Sequence, residues 1–380
     1  MKIEQVYNLV NTATQEVLGE SALVKEDLSN VVSVGEQIAN MNLYDKFVGA
    51  LLNRIAKSIF SIRAYSGRAP SVLMDSWEFG SIVQKVHMKL PDAEENESWS
   101  LVDGATYEEN QFYKPSVSVK LWNHKTTFEI PLSIAEEQLK QSFLSASEMA
   151  RFVAMLYQGV ENSMTLKFDA LIMRTINNFI GATIQDGTSG VNVIHLVTEF
   201  NANTGASETS ATALYNKEFL RYCVFRMKQV ATRLGVYSTL FNLGATEKHT
   251  PRDMLKIVLH ETLDAGVSAY LQSDTFHDEL VKLPVADVVP FWQGSGTSFA
   301  LADTTKIDVD VLDTSGTKQH VQEDYIVGVM FDRDALGVTG YNRRTPSKYV
   351  AKAEFYNYWY KEDAGYFNDY NENFVVFLAD

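Results

Sequence analysis

The feature that most constrains the fold is a pair of alternating segments on either side of an acidic stretch. Residues 82–90 alternate apolar and polar side chains, which predicts a half-buried strand. Return strands are predicted at 117–121 and 128–132. One face of 82–90 holds Ile82, Val86, Met88 and Leu90, and the other holds Lys85, His87 and Lys89. A long two-stranded arm cannot bury its own apolar face, so we expect it to pack on another domain or another molecule.

The end of this arm is strongly acidic. Residues 91–113 contain no Lys or Arg. Their carboxylates are Asp92, Glu94, Glu95, Glu97, Asp103, Glu108 and Glu109. Such a tip is expected to bind a basic patch on its partner through the attraction of opposite charges.

A long amphipathic helix follows the arm. Ser145 and Glu148 have the spacing of a capping box, which marks a helix start. Apolar residues then recur every three or four positions from Met149 to Phe179, and Gly181 marks the expected end. The pattern predicts a core helix over 145–181, roughly 50 Å long. A coiled coil is disfavoured because the apolar stripe is broad.

Composition limits the class of protein. A chain of 380 residues that is 46% hydrophobic can form two domains or subdomains. Its formal net charge of −15 argues against gripping phosphates or an anionic membrane, although it allows the chain to enclose nucleic acid. The single Cys223 excludes an internal disulfide and is expected to be a buried thiol. With neither a signal peptide nor a run of about 18 apolar residues, we expect an intracellular, soluble protein.

The remaining segments give a mixed pattern. Helical stripes occupy 1–62, and a strand is predicted at 191–200. A polar loop is predicted at 201–212, and one helix covers 214–234. Thr250-Pro251 has the sequence of another helix start. Strands are predicted at 307–311, 325–331, 349–360 and 374–378.

The C-terminal segment is unusually aromatic. Ten of the chain's aromatic residues lie between Phe355 and Phe377. A strand covered on both faces, in the core or at a subunit interface, explains them better than a sugar-binding surface does.

No motif supports catalysis or ligand binding. Gly294-Ser295-Gly296-Thr297 does not join a strand to a helix, and His260-Glu261 lacks the second histidine of a zinc-protease helix. Asp308 and Asp310 are best explained as a solvated strand face. The basic residues of the helix at 214–234 are interpreted as a solvated or subunit-facing side, and they are Lys217, Arg221, Arg226, Lys228 and Arg233. We therefore expect no enzyme, catalytic residue, cofactor or metal site.

The order of parts resembles the major capsid protein of tailed bacteriophages, with the Hong Kong 97-type fold, and is nearest to those of small short-tailed phages. Four local stretches carry the likeness together with the arm and the long helix. They are Phe331-Asp332-Arg333-Asp334-Ala335, Tyr341-Asn342-Arg343-Arg344, the aromatic strand at 355–360 and Phe-Val-Val-Phe at 374–377.

The resemblance implies an α+β fold with five parts. Residues 1–77 would form an N-terminal arm and lead-in helix, and 78–131 an extension loop made of the β-hairpin arm. Residues 132–212 would form the peripheral domain with the spine helix at 145–181, and 213–340 the axial domain. The aromatic strands of 341–380 would return to the peripheral and axial sheets.

The resemblance also implies a function. The chain would assemble with itself into the hexamers and pentamers of an icosahedral head around double-stranded DNA, without sequence-specific DNA binding and without a membrane. It would reside in the virion after assembly in the host bacterial cytoplasm. A portal and a separate scaffolding protein are expected partners, because the segment before the arm, residues 1–77, is shorter than the N-terminal scaffolding region that some members of the family carry.

Some details stay open on the sequence alone. The alternatives are an encapsulin-like nanocompartment shell and another structural virion protein, such as a tail component. Lys89 and Lys114 bracket a tip without lysine, so a shell cross-linked by isopeptide bonds is not expected. Predicted contacts between subunits join the tip to two arginines, and the residues are Glu94, Glu95, Glu97, Glu108, Glu109, Arg343 and Arg344.

Overall fold

The chain divides into two compact units, each built from three stretches of sequence. Unit 1 comprises Met1–Phe79, Lys125–Arg174 and Val338–Gly365. Unit 2 comprises Gly80–His124, Thr175–Gly337 and Tyr366–Asp380. The computed structural model describes residues 3–19, 24–25, 29–40, 43, 46–47, 50–51, 68–74, 83–91, 93, 96–106, 110, 112–135, 146–270, 287–293, 305–312 and 316–380.

Unit 1 combines helices with a four-stranded sheet. Its helices with described bounds are α1 (Ile3–Leu18), α2 (Val31–Asn40) and the first part of α3 (Ala146–Asp186), which continues into unit 2. Its strands are β3 (Lys125–Ala135), most of β10 (Leu336–Arg344), β11 (Ser347–Val350) and most of β12 (Phe355–Asn368). β12 is the centre of this sheet and pairs with β10, β11 and β3. The β3 ladder is antiparallel and runs from Phe355 opposite Ala135 to Gly365 opposite Lys125.

The aromatic segment forms the core of unit 1. Tyr356, Tyr358 and Tyr360 alternate along β12 and are buried. They share one apolar cluster with Val10 of α1 and Ile38 of α2. Core packing of these aromatic residues is therefore confirmed. The single strand predicted at 349–360 is instead two antiparallel strands, β11 and β12, because the chain turns at 351–354.

Unit 2 is built on a five-stranded sheet of order β4-β13-β9-β5-β6. These strands are β4 (Val193–His195), β5 (Leu255–His260), β6 (Asp287–Val289), β9 (Ile326–Asp332) and β13 (Phe374–Leu378). Its helices are α4 (Leu196–Thr204), α5 (Lys217–Leu234) and α6 (Glu261–Tyr270). Two hairpins complete the unit, namely β1 (Val83–Met88) with β2 (Val117–Trp122) and β7 (Ile307–Leu312) with β8 (Lys318–Glu323). Side chains from α4, α5, α6 and the sheet form one apolar core.

Two local predictions of secondary structure in unit 2 are wrong, and the loop expected at 201–212 begins only after α4 ends at Thr204. The helix expected to begin at Thr250 is a single turn, in which the Pro251 carbonyl accepts the Met254 and Leu255 N–H groups. The chain then enters β5, because the buried run 257–259 fits between β9 and β6. The strand expected at 191–200 is the three-residue β4 followed by α4.

The long helix is confirmed, and it extends to Asp186, beyond the expected end at Gly181. Gly181 is a packing position and not a stop. A Cβ atom there would lie 2.7 Å from Val309 Cγ2 and 3.0 Å from Val311 Cγ1. The glycine thus lets α3 approach the β7–β8 hairpin closely.

We expect Gly181→Ala to destabilise the chain by about 1–3 kcal/mol, since valine methyls on a strand cannot rotate away from the added carbon. The matched control is Gly159→Ala in the same helix, where nothing lies within 4 Å of the new atom. That change should stabilise by about 0.5–1 kcal/mol through backbone entropy. Urea denaturation of both variants measures the difference, and equal effects would contradict the packing role of Gly181.

Candidate functional site

The predicted two-stranded arm is present. β1 and β2 are antiparallel, with Val83 opposite Trp122 and Met88 opposite Val117. A bond from the Lys89 N–H to the Ser116 carbonyl extends the ladder by one step. The paired part of the arm ends at Trp122, and residues 125–131 of the predicted extension loop belong to β3 in unit 1.

One face of the arm is apolar and turned outward. Its five large apolar side chains are between 50 and 64% exposed, and they are Val86, Met88, Val117, Val119 and Leu121. The register places them together, because Val86 lies opposite Val119 and Met88 opposite Val117. The other face, with Lys85 and His87, is partly buried. No described residue of the chain covers the apolar face, so a two-stranded ribbon is left without a core.

The described part of the tip adds exposed aromatic side chains to the predicted acids. Trp99 ends a short 3-10 turn over Glu97–Trp99 and is 98% exposed. Phe112 is 84% exposed, and Tyr113 is exposed as well. Of the predicted contact residues, Glu97 lies in this turn. The residues Glu94, Glu95, Glu108 and Glu109 lie outside the described part of the chain.

A cluster of buried ion pairs fastens the base of the arm. We call it the arm root, and it consists of Lys85, Lys120, Lys248, Asp369 and Glu372. The Lys85 Nζ lies 2.5 Å from a Glu372 carboxylate oxygen and 3.1 Å from Asp369. Lys120 lies 3.1 Å from Asp369, and Lys248 lies 2.7 Å from Glu372. The side chains of Asp369 and Glu372 are only 2% and 6% exposed.

The charges of the arm root stabilise one another. Burial alone would lower the pKa of Lys85, but the carboxylates of Glu372 and Asp369 outweigh it and raise that pKa. Burial would likewise raise the pKa of Asp369, yet the ammonium groups of Lys85 and Lys120 lower it. Lys85 and Asp369 are therefore both charged at neutral pH, and the loss of Lys85 would leave each of the two nearly buried carboxylates with one lysine instead of two.

Aromatic contacts support the same region. Trp122, the last residue of β2, packs against Phe367 with ring centroids 5.4 Å apart. His124 stacks on Tyr366 at 5.8 Å, and its carbonyl accepts the Tyr366 N–H. The C-terminal aromatic segment thus holds the arm as well as filling the core of unit 1.

The two predicted contact arginines lie on β10 and pair within the chain. The Arg343 Nη2 lies 3.2 Å from Glu362, and the Arg344 Nη1 lies 2.8 Å from Asp363. Burial raises the pKa of Glu362 to about 7 despite Arg343 beside it. The hydrogen bonds from Arg344 hold the pKa of Asp363 at about 2. Arg344 is the more accessible arginine, with 43% of its side chain exposed against 22% for Arg343.

Sequence reasoning did not identify the acidic residues of these ion pairs. Glu362 and Asp363 pair with the two arginines, and Asp369 and Glu372 pair with the lysines of the arm root. The first two were detectable as charged residues inside the aromatic strand, where a buried carboxylate needs a counter-ion. The last two gave no such signal, because Lys85 and Asp369 are 284 residues apart and meet only through the fold.

Other candidate motifs remain unremarkable in the described chain. Asp308 and Asp310 bracket His320 on the exposed face of the β7–β8 hairpin, at 3.3 and 3.0 Å. The described residues contain no group of three or more His, Cys, Asp or Glu placed to hold a metal. Cys223 is buried, which raises the pKa of its thiol. Gly294-Ser295-Gly296-Thr297 lies outside the described residues. None of the described helices has the length and hydropathy needed to cross a bilayer.

We expect Lys85→Ala to loosen the arm, because it leaves Asp369 and Glu372 with one cation fewer. The loss of charge-assisted hydrogen bonds should cost about 1.5–3 kcal/mol. Amide hydrogen exchange of β1 and β2 should accelerate more than exchange in the five-stranded sheet. Lys89→Ala, on the exposed continuation of β1, is the control and should change neither quantity. Indistinguishable exchange in the two variants would show that the root does not hold the arm.

Comparison with known proteins identifies the family. The family model described as "Phi29-like phage major capsid protein" matches residues 10–378. No curated protein sequence matches the chain.

Two solved structures share the fold at low sequence identity. One is described as the capsid structure of Staphylococcus phage Andhra, with 11% identity and a TM-score of 0.52 over 84% of this chain and 86% of that one. The other is described as "head fiber and inner core protein gp22 of native bacteriophage P68", with 10% identity and a TM-score of 0.51 over the same shares. The mixed helix-and-strand capsid fold expected from the sequence is confirmed. The chain belongs to the family of Phi29-like phage major capsid proteins and is a capsid-forming structural protein.

Proposed function

We propose that copies of this chain form the hexamers and pentamers of an icosahedral phage head, in which the arm of each copy lies across a neighbouring copy. The outward apolar face of β1 and β2 carries this proposal. Five large side chains there are at least half exposed in the single chain. A head-to-tail contact repeated around a ring closes that ring, so one such arm per copy is sufficient to link all members.

The energetics favour a docked arm. Full burial of a Val, Leu or Met side chain is worth about 1.5–3 kcal/mol. Covering the five half-exposed side chains of the arm would therefore contribute roughly 4–7 kcal/mol before the cost of association. The arm root lowers that cost, since an arm already fixed at its base loses less freedom on docking.

The tip is the second part of the proposed contact. Its carboxylates are proposed to face Arg343 and Arg344 of the neighbouring copy, as the sequence predicts. Arg344 is the better placed of the two, because its side chain is nearly half exposed while it contacts Asp363.

The five-part division into N-terminal arm, extension loop, peripheral domain, axial domain and C-terminal strands belongs to the same proposal.

The partners proposed beyond the chain itself are a separate scaffolding protein and a portal. The head would enclose double-stranded DNA without sequence-specific contacts, consistent with the net charge of −15. Assembly in the host bacterial cytoplasm and the lack of enzymatic activity belong to the same proposal. Membership of a phage capsid family supports location in the virion and favours a head over a nanocompartment shell or a tail component.

The double variant Trp99→Ala/Phe112→Ala should abolish or strongly reduce shell formation and leave the subunit folded, because both side chains are exposed in the single chain. Negative-stain electron microscopy of the chain, expressed alone and with its scaffolding candidate, counts the shells. Trp99→Phe/Phe112→Tyr keeps the aromatic contacts and is the control that should still assemble. Shells of normal number and size from the alanine variant would sink the docking of the tip.

Charge reversal tests the tip pairing separately. We expect Arg344→Glu to reduce the shell yield, both by repelling Asp363 and by repelling the tip of the neighbour. Adding Glu94→Lys and Glu95→Lys in the same chain should recover part of the yield, since these lysines replace the lost attraction. The tip lysines can relieve only the repulsion between copies and not the repulsion between the new glutamate and Asp363 within one copy. A complete failure of rescue would therefore assign the whole loss of yield to the single copy and count against the tip pairing.

A further inference from the structure

A second surface with exposed large side chains lies on unit 2, on the outer side of α5 and in the turns at its two ends. We call it the α5 face. Its large side chains are 55–71% exposed, and they are Tyr215, Phe225, Val236, Tyr237 and Leu240. Tyr237 packs on His249 with ring centroids 4.2 Å apart, and all five side chains stay more than half exposed in the described part of the chain. The opposite side of α5 is buried, with Leu220, Cys223 and Met227 in the core of unit 2, so the face rests on a fixed support.

Two cavities make this face concave. One, of about 560 Å³, is lined by Phe200, Tyr222 and Phe225 among others. The other, of about 420 Å³, is lined by Val230, Val236 and other residues at the end of the helix and in the turn. Concave aromatic surfaces of this kind are where the strongest contributions to protein–protein binding concentrate.

The charge of the α5 face is positive. Lys217, Arg221, Lys228 and Arg233 are exposed along the helix. Arg221 also contacts Glu218 at 2.7 Å. Arg226, which the sequence groups with them, points inward instead. Its Nε lies 2.7 Å from Glu199, and its Nη2 donates to the Gly190 carbonyl at 3.1 Å. The four exposed bases outnumber the one exposed acid beside them, Glu218, whereas the whole chain has 48 acidic and 33 basic residues.

We propose that the α5 face is a second contact between copies, covered in the shell by an acidic surface of a neighbouring copy. The inference rests on assembly of many copies and is independent of where the arm docks. A head-to-tail contact needs two different patches, and a basic patch on an otherwise acidic chain meets opposite charge on almost any other surface of that chain. Self-pairing of two such faces is disfavoured by their like charge.

The size of the face fits this occupant. Aromatic side chains present about 150–250 Å² each, so five large side chains that are more than half exposed leave on the order of 500 Å² uncovered. A typical stable contact buries about 800 Å² per partner, and the four exposed basic side chains of α5 would supply the remaining area. Nucleic acid is the less suitable occupant, because the face exposes five large apolar or aromatic side chains and the chain carries a net charge of −15.

A cysteine footprint tests the proposal. Cys223 is the chain's one cysteine and is fully buried, so the wild-type chain should not react with a small polar maleimide and gives the background. Phe225→Cys and Val236→Cys each place one thiol on the face. Both should label freely in unassembled copies and at least tenfold more slowly in intact shells emptied of DNA and scaffold.

The outcomes separate the possible occupants. Equal labelling in unassembled copies and in empty shells would overturn the proposal. Protection that appears only in DNA-filled shells would assign the face to nucleic acid, and protection that needs the scaffolding protein would assign it to that partner; both overturn the proposal. If a cysteine variant folds but does not assemble, Phe225→Leu should assemble because it keeps the apolar contact, and its failure would also contradict the proposal. Absence of shells from the wild-type chain expressed together with its scaffolding candidate would instead refute the proposed function.

Discussion

The ion pairs between Lys85 and the carboxylates of Asp369 and Glu372 fix the position of the arm, on which the proposed assembly depends. A two-stranded ribbon has no core, so its direction is fixed only where it is fastened. Two nearly buried carboxylates satisfied by three lysines supply that fastening. Because the two carboxylates are almost removed from water, a displaced lysine would leave a nearly buried charge with only one of its two cations. The arm is thereby presented with its apolar face outward.

The single chain consequently leaves part of its apolar surface exposed to water. Each unit has its own core, around β12 in unit 1 and around the five-stranded sheet in unit 2. The apolar side chains left outside these cores are concentrated on the arm and on the α5 face. Both surfaces combine exposed aromatic groups with one sign of charge, acidic at the arm tip and basic on α5. Assembly of identical copies is the process that can cover both.

Periodicity explains what was predictable from the sequence. The alternation at 82–90 and the repeat after Met149 identify the arm and α3, because burial on one face fixes a period of two or of 3.6. The prediction of a helix beginning at Thr250 was wrong because capping residues act only locally, whereas the burial of residues 257–259 between β9 and β6 requires a strand. The arm root and the partners of Arg343 and Arg344 depend on strand register and on contacts between distant segments. Contacts between copies are harder still to predict from the sequence, since they depend on the symmetry of the assembly, which no local pattern encodes.

Electron cryomicroscopy of assembled shells is the most direct test of the account. At a resolution that traces the backbone, residues 83–122 should extend from the arm root with the side chains of Val86, Val119 and Leu121 in contact with a neighbouring copy. An arm that lies back on its own copy, or that projects into solvent with this face uncovered, would contradict the central claim.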